Sequence, residues 1–433
     1  MTNLAFDVTP DRDDAATRPL EARPVPRITI QAFCDTPEVA GTIETAAMDR
    51  RMARAHVKVH TGGIGAAGEF YRTAPTPNLI LVETRLPFDE LVVSLDSLAE
   101  VCDAGTKVMV IGHSNDVQLY RELLKRGVSE YLVAPVSVMT VITAISGIYR
   151  EAGTEKLGQS YAFIGAKGGV GSSTVAHNVA WTMARLFGSD VILADLDLAF
   201  GTAGLDFNLD PSQGIADAVF GADRLDEVLL DRLLAKCEDH LSLLAAPAAL
   251  DKAYDFGEDA FDQVLEIVQS NVPTVVLDVP HIWSAWARKT LVAADQVVVT
   301  AAPDLANLRN AKSIVDFLRQ ARPNDTPPKL VLNQVGVPKR PEIKPEDFAA
   351  ALQLTPIATI PFDPLLFGTA SNNGQMIAEA SAKTTVSDVF TDVAQIVSGR
   401  KELKKARRRG LDFGPLFDRL KAKPKQTKGR KAS

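Results

Sequence analysis

Apolar residues fall in short runs separated by longer amphipathic stretches, and this alternation comes in two series. The first series begins at Arg27, with runs at Ile28–Phe33, Val57–His60, Leu79–Val82, Val108–Ile111 and Tyr131–Val133. Helix-like segments lie between or after them, around Glu38–Ala55, Asp89–Asp103, Asp116–Arg126 and Val138–Arg150. Strand-length runs that alternate with helix-length segments predict βαβ units and a parallel sheet. Residues 27–150 are therefore expected to form one small doubly wound α/β domain.

The second series starts at Tyr161. Its runs are Tyr161–Ile164, Val191–Ala194, Thr274–Leu277, Gln296–Thr300, Lys329–Leu332 and a short one at Ala358–Ile360. They are rich in Val, Ile and Leu throughout rather than alternating, as strands covered on both faces by helices must be. This predicts a second doubly wound domain over residues 161–400. Residues 151–160 carry no hydrophobic face and read as a linker, whereas residues 1–26, with scattered charge and prolines, are expected to be disordered.

Composition agrees with this organisation. The chain has 433 residues, 46% hydrophobic and 23% charged, which suits a globular protein of two to three domains. No apolar run approaches the ~20 residues needed to span a bilayer. The first residues have no apolar core of a secretory signal, so a cytoplasmic location is expected. Cys34, Cys102 and Cys237 lack metal-ligand or redox-motif spacing and read as reduced thiols. Charge is unevenly placed: residues 400–433 hold 14 Lys and Arg against 3 Asp and Glu, leaving −18 for the rest of a chain whose net charge is −7.

The candidate chemistry starts where the run Tyr161–Ile164 enters Gly165-Ala-Lys-Gly-Gly-Val-Gly-Ser-Ser-Thr174 and then the helix-like Val175–Leu186. A strand, a glycine-rich turn and a helix form a cradle for phosphate, because glycines admit close backbone approach and the helix N-terminus favours negative charge. Two further strands end in acid: Ala194-Asp-Leu-Asp197, and Val275-Val-Leu-Asp278-Val-Pro280. Acids at the carboxyl ends of parallel strands lie where doubly wound sheets place ligands. One of the first pair has a plain alternative role, capping the turn that follows.

Lys167-Gly-Gly-Val-Gly171 resembles the deviant Walker A loop of the MinD/ParA superfamily of P-loop ATPases. The resemblance implies ATP and Mg²⁺ as cofactors and a nucleotide-sandwich homodimer in which Lys167 reaches the partner's phosphates. It assigns Gly168, Gly169, Val170, Gly171, Ser172, Ser173 and Thr174 to the phosphate loop, and Ser173, Asp195 and Asp278 to the metal. Asp197 matches the residue that organises the attacking water, and Asn333 the residue that recognises adenine. Pro361 and Asp363, in Ile360-Pro-Phe-Asp-Pro364, match the loop that packs over the base. Two departures stand out. The second loop lysine is replaced by Ser172, which carries no charge for the β- and γ-phosphates, so hydrolysis is expected to be slow. The segment after Asp278 reads Val-Pro-His281-Ile-Trp283, unlike the family's switch, and His281 is a candidate general base there.

Residues 27–150 resemble a response-regulator receiver domain that lacks its phosphorylation chemistry. Pro77-Asn-Leu-Ile-Leu-Val-Glu-Thr-Arg-Leu-Pro87 mirrors the strand of the phosphoacceptor aspartate, with Glu83 in its place. The acidic pair is essentially absent from Gln31-Ala-Phe-Cys-Asp35, the switch hydroxyl position is Gly112, and the lysine position is Ala134. Phosphoryl transfer needs those groups together, so a docking or dimerisation module is expected.

Both domains in this order resemble the CpaE/TadZ family, which implies a role in positioning the assembly machinery of Flp/Tad (type IV-related) pili. The partners implied are a second copy through the ATPase domain and pilus assembly proteins through the receiver-like domain. The location implied is cytoplasmic, polar and peripheral to the inner membrane. Two other readings stay open: a ParA-type partitioning ATPase that binds DNA, which the receiver-like domain and Ser172 disfavour, and a scaffold that uses the fold without nucleotide. The basic tail, residues 401–433, with Leu416, Phe417 and Leu420 near Gly414 and Pro415, reads either as a solvated or partner-binding tail or as one that meets an anionic membrane surface, both ahead of nucleic acid. Membrane contact predicts that the full chain pellets with anionic vesicles and that a chain ending at Gly399 does not; equal pelleting would remove the tail from membrane binding.

Overall fold

A computed structural model describes residues 24–150, 157–247 and 254–401. The basic tail after Lys401 and nearly all of the N-terminal stretch lie outside the described residues. One residue of that stretch departs from the expected disorder: Val25 is fully buried and its N–H donates to Arg51 O at 2.7 Å.

The first domain holds strands β1 (Thr29–Cys34), β2 (His56–Thr61), β3 (Leu79–Glu83), β4 (Lys107–Gly112) and β5 (Glu130–Val133). They form one sheet in the order β2-β1-β3-β4-β5 with every pair parallel. This is the flavodoxin-like order, in which the loops at the carboxyl ends of the strands form the binding edge. Two clusters of buried side chains cover the sheet, one around Ile30, Leu79, Leu81 and Ile142, the other around Phe33, Ile80, Val82 and Leu98. A helix at Gly63–Phe70 was not legible, since three glycines in eight residues mask its apolar face.

The missing phosphorylation chemistry has a structural counterpart. Glu83 is completely buried at the end of β3, and its carboxylate accepts from Asp35 N (2.9 Å), Thr36 N (2.8 Å) and Thr36 Oγ1 (2.8 Å). Oε1, the oxygen that accepts from Thr36 Oγ1, also lies 3.0 Å from His113 Nε2, whereas both backbone N–H groups go to Oε2. The glutamate thus fills the edge with its own bonds, which use the lone pairs a phosphoryl group or metal would need. Burial pushes its pKa up, but the Thr36 N–H and hydroxyl, His113 and the Asp35 N–H outweigh burial and hold it below the usual carboxylate range. At the switch position, a Cβ on Gly112 would collide with the Tyr131 ring, whose hydroxyl donates to Ser114 O at 2.8 Å.

The second domain is one eight-stranded sheet: β6 (Gln159–Gly165), β7 (Val191–Asp195), β8 (Ala235–Glu238), β9 (Leu241–Leu244), β10 (Thr274–Val279), β11 (Gln296–Ala301), β12 (Lys329–Val335) and β13 (Pro356–Pro361). The order is β13-β12-β11-β6-β10-β7-β9-β8, and only β8 pairs antiparallel. β6 begins two residues ahead of the expected start, inside the segment read as linker. The β8–β9 edge hairpin was not anticipated, because four-residue strands carry too little periodicity to stand out. β6 lies between β10 and β11, so its carboxyl end is flanked by theirs. The helix Ser172–Phe187 leaves that end and packs with the helix Thr385–Val397 over Phe163, Leu193 and Val276.

Replacing Glu83 by Gln puts an amide NH₂ among backbone donors and is expected to cost ~2–4 kcal/mol in urea unfolding. Because the folded pKa is depressed, this contribution is present above the unfolded value of about 4.3 and is lost as pH falls through the folded one. A variant as stable as wild type at pH 7 would contradict the role given to this carboxylate.

Candidate functional site: a phosphate cradle over a buried acid–imidazole cluster

The loop between β6 and the helix Ser172–Phe187 is held from outside by side chains. His281 Nδ1 donates to Gly165 O (2.8 Å), Asn310 Nδ2 to Ala166 O (2.9 Å), Gln334 Nε2 to Gly169 O (3.0 Å) and Asn333 Nδ2 to Val170 O (2.8 Å). Carbonyl oxygens are thereby satisfied away from the loop's centre. Among the described residues nothing accepts from the N–H groups of Lys167, Gly168, Gly169, Val170 or Gly171. The helix begins at Ser172 after Gly171, with no side-chain cap, so its first-turn N–H groups are also free. Gly169 and Gly171 have φ of +78° and +82°, which glycine alone adopts freely. A Cβ on Gly171 would also come within 2.6 Å of Asn333 Nδ2. Free N–H groups around a helix N-terminus form an anion site. Ser172 Oγ is buried and has no hydrogen-bond partner among the described residues. Ser173 and Thr174 are half-buried, and Lys167 is exposed.

Beneath the loop lies the acidic layer. Asp195 ends β7 and Asp278 lies on β10; they are register partners, and both are buried. Asp195 accepts from Asp197 N and Ala203 N, each at 3.1 Å. Gly201 closes over it so tightly that a Cβ there would collide with its carboxylate. Burial and Asp278 raise the Asp195 pKa, with His177 opposing.

His177 is a functional residue that the sequence reading missed. It sits on the phosphate-loop helix, completely buried, with Nδ1 2.8 Å from Asp206 Oδ2 and Nε2 3.2 Å from Asp278 Oδ2. The second contact is an ion-pair distance, out of line for a hydrogen bond. Burial opposes protonation, but Asp206 and Asp278 outweigh it and raise the imidazole to about 10. A positive charge thus lies below the cradle. The available signal was the polar pair His177-Asn178 inside an otherwise apolar helix face.

Other expected site residues also make local bonds. Asp197 Oδ1 accepts from Phe200 N at 3.0 Å, which is the turn cap weighed as its plain alternative. Asn333 is buried, and besides its bond to Val170 O it accepts from Gln334 N at 2.8 Å. These bonds use one N–H and one lone pair of the amide, leaving one of each. Asp363 caps the helix Pro364–Asn373 through Leu366 N at 3.0 Å, and Pro361 ends β13. His281, the candidate base, braces the loop with Nδ1. Among the described residues no three His, Cys, Asp or Glu side chains are grouped to hold a metal alone.

Residues 158–330 match the model of a family described as an AAA domain. The septum site-determining protein MinD of Synechocystis is 24% identical over 242 residues, covering 54% of this chain and 87% of that protein. A solved ParA family ATPase of Chlorobium tepidum, 23% identical with a TM-score of 0.50, covers 55% of this chain and 98% of its own, and shows the shared fold. The pilus assembly protein CpaE of Caulobacter crescentus is 53% identical across 29% of this chain and 96% of its solved chain, at a TM-score of 0.29. Its weight rests on that identity. The chain belongs to the MinD/ParA superfamily, alongside the CpaE proteins.

Loss of His177 leaves buried carboxylates uncompensated, so His177→Gln is expected to cost ~3–5 kcal/mol at pH 6. Since the folded pKa is raised, the His177 contribution is complete below about 6.5 and fades as pH rises toward 10. Urea unfolding of both proteins from pH 6 to 10 should show the gap closing; a constant gap would mean the imidazole is neutral.

Proposed function

We propose that the chain is an ATP- and Mg²⁺-binding localisation or assembly factor for Flp/Tad pilus biogenesis, working as an ATP-linked homodimer. The observation that carries it is the loop 167–171, whose N–H groups have no acceptor among the described residues and lead into the uncapped first turn of a helix. Such a cradle suits the phosphates of a nucleotide. Ser173, Asp195 and Asp278 would hold Mg²⁺, which commonly keeps several waters and takes few protein ligands besides phosphate oxygens. The ion would neutralise phosphate charge. MinD of Pyrococcus horikoshii, another superfamily member, was solved with Mg-ADP.

Dimerisation is supported by the surface around the loop. Phe200 and Leu205 follow β7, Ile282 and Trp283 follow β10, Leu305 follows β11 and Leu365 follows β13, and all six are exposed. Apolar side chains gathered at one edge mark an interaction surface. The exposed Lys167 follows β6 at the same edge and would meet a partner's phosphates in such a dimer. The receiver-like domain, closed to phosphorylation by Glu83, suits docking of assembly proteins. No helix among the described residues is long and apolar enough to cross a membrane, which fits a peripheral protein held by its basic tail.

A fluorescent ATP analogue should bind wild type with Mg²⁺ and bind Asp278→Ala more weakly. Lys167→Ala should keep nucleotide but weaken the dimer by about tenfold or more, read by analytical ultracentrifugation. Ser172→Lys should raise turnover by about tenfold or more, since it restores a charge on the phosphates. No binding by wild type would favour the nucleotide-free scaffold, and a salt-sensitive, ATP-dependent shift of DNA the partitioning ATPase. A wild-type rate already matching Ser172→Lys would contradict the account of the loop.

A further inference from the structure

The two domains meet through a buried ionic network that neither the loop nor the acid cluster uses. Arg50 and Arg51 begin a single turn, Arg50–Met52, just before β2. Arg50 Nε lies 2.6 Å from Asp325 Oδ2 of the second domain, and its Nη1 lies 3.3 Å from Asp295 Oδ1 and 3.1 Å from Ala293 O. Arg51 reaches Asp325 too, while also holding Asp49 at 2.9 Å. Asn324 Nδ2 donates back across the boundary to Asp49 Oδ2 at 3.0 Å. Arg322 braces Asp325 at 2.7 Å from its own side and also donates to Leu291 O and Asp295 O.

Three guanidinium groups thus meet three carboxylates, with the side chains of Arg50, Arg51 and Asp325 at most 9% exposed. Guanidinium forks suit such sites because they satisfy several acceptors in fixed directions. Removing one member leaves a buried charge without its partner, so the network resists piecemeal opening. Burial would raise the Asp325 pKa, but Arg50 and Arg322 overcome it and hold the group below its usual range. Asp295 carries the contact further. Its Oδ2 accepts from Ser160 N (2.9 Å) and Ser160 Oγ (3.1 Å), on the strand that ends in the phosphate loop.

The position of the network matters as much as its strength. Arg50–Met52 precedes β2, Asp295 precedes β11 and Asp325 precedes β12, so the sheets are joined at the amino ends of their strands. Glu83 and the phosphate loop lie at the opposite, carboxyl ends. We propose that this network fixes the receiver-like domain on the nucleotide-binding domain as a rigid arm, with its altered phosphoacceptor edge displayed away from the phosphate loop. The two domains are then a single body with two separate binding ends, not a pair on a tether.

The test uses the full chain without nucleotide, so it stands apart from the nucleotide reading. Arg50→Glu alters the first domain, while Asp295→Asn removes a charge from the second and keeps an acceptor for Ser160. Each variant is compared with wild type by small-angle X-ray scattering and by amide hydrogen exchange over residues 49–55 and 291–296. Wild type should give one compact particle with both segments protected. Each variant should extend the maximum dimension and raise exchange in both segments by about tenfold or more. If Arg50→Glu loses its far-ultraviolet circular dichroism, Asp295→Asn alone decides. Wild-type scattering and exchange in Asp295→Asn and in a folded Arg50→Glu would overturn the proposal, as would a wild type already extended and unprotected at both segments.

Discussion

Everything at the glycine-loop end of the second domain depends on burying carboxylates side by side. Asp195 and Asp278 are paired in register on adjacent strands, and water is excluded from both. Two such charges are costly in a low-dielectric interior unless something compensates them. His177 does so from the helix above, and backbone N–H groups from residues 197 and 203 complete the satisfaction of Asp195. The phosphate loop is the upper layer of this arrangement, because its helix contributes both the free N–H groups and the imidazole. Where the superfamily pattern has a loop lysine this chain has Ser172, yet a cation remains nearby, one turn deeper and already engaged. It can balance the acids, but its nitrogens face them and not the loop.

The receiver-like domain solves a related problem by a different route. Its phosphoacceptor position also holds a buried acid, but Glu83 is compensated by neighbouring N–H groups, a hydroxyl and His113 instead of by an ion. The same edge loses its switch side chain to the ring of Tyr131. Both changes fill space that signalling would need open. The domain has therefore kept the sheet and exchanged a chemical site for a fixed surface, which agrees with its firm seating on the rest of the chain.

The sheets were largely legible from sequence because apolar runs and glycine punctuation are local signals. Strands β6, β7, β10, β11 and β12 fell within a few residues of their expected positions, and so did all five strands of the first domain. The departures at the site share one physical origin. His177 meets Asp206 and Asp278 across 29 and 101 positions of chain, and Asn333 meets Val170 across 163. Only the fold brings these groups together, so residue type and spacing could not reveal how their polar atoms are used. Asp197 is the instructive middle case: the turn cap and the water-organising role were both readable, and the geometry displays the cap.

The segment after β7 is pinned at two feet. Asp195 grips Ala203 N, and His177 grips Asp206, so the residues between 195 and 206 form an arch sprung from the same buried cluster. An arch with fixed feet cannot peel away; it can only flex at its crown. Phe200 stands there, 72% exposed, on the turn that Asp197 ties. One aromatic ring is thus set in plain view of whatever approaches this surface, on a turn built directly onto the buried charges.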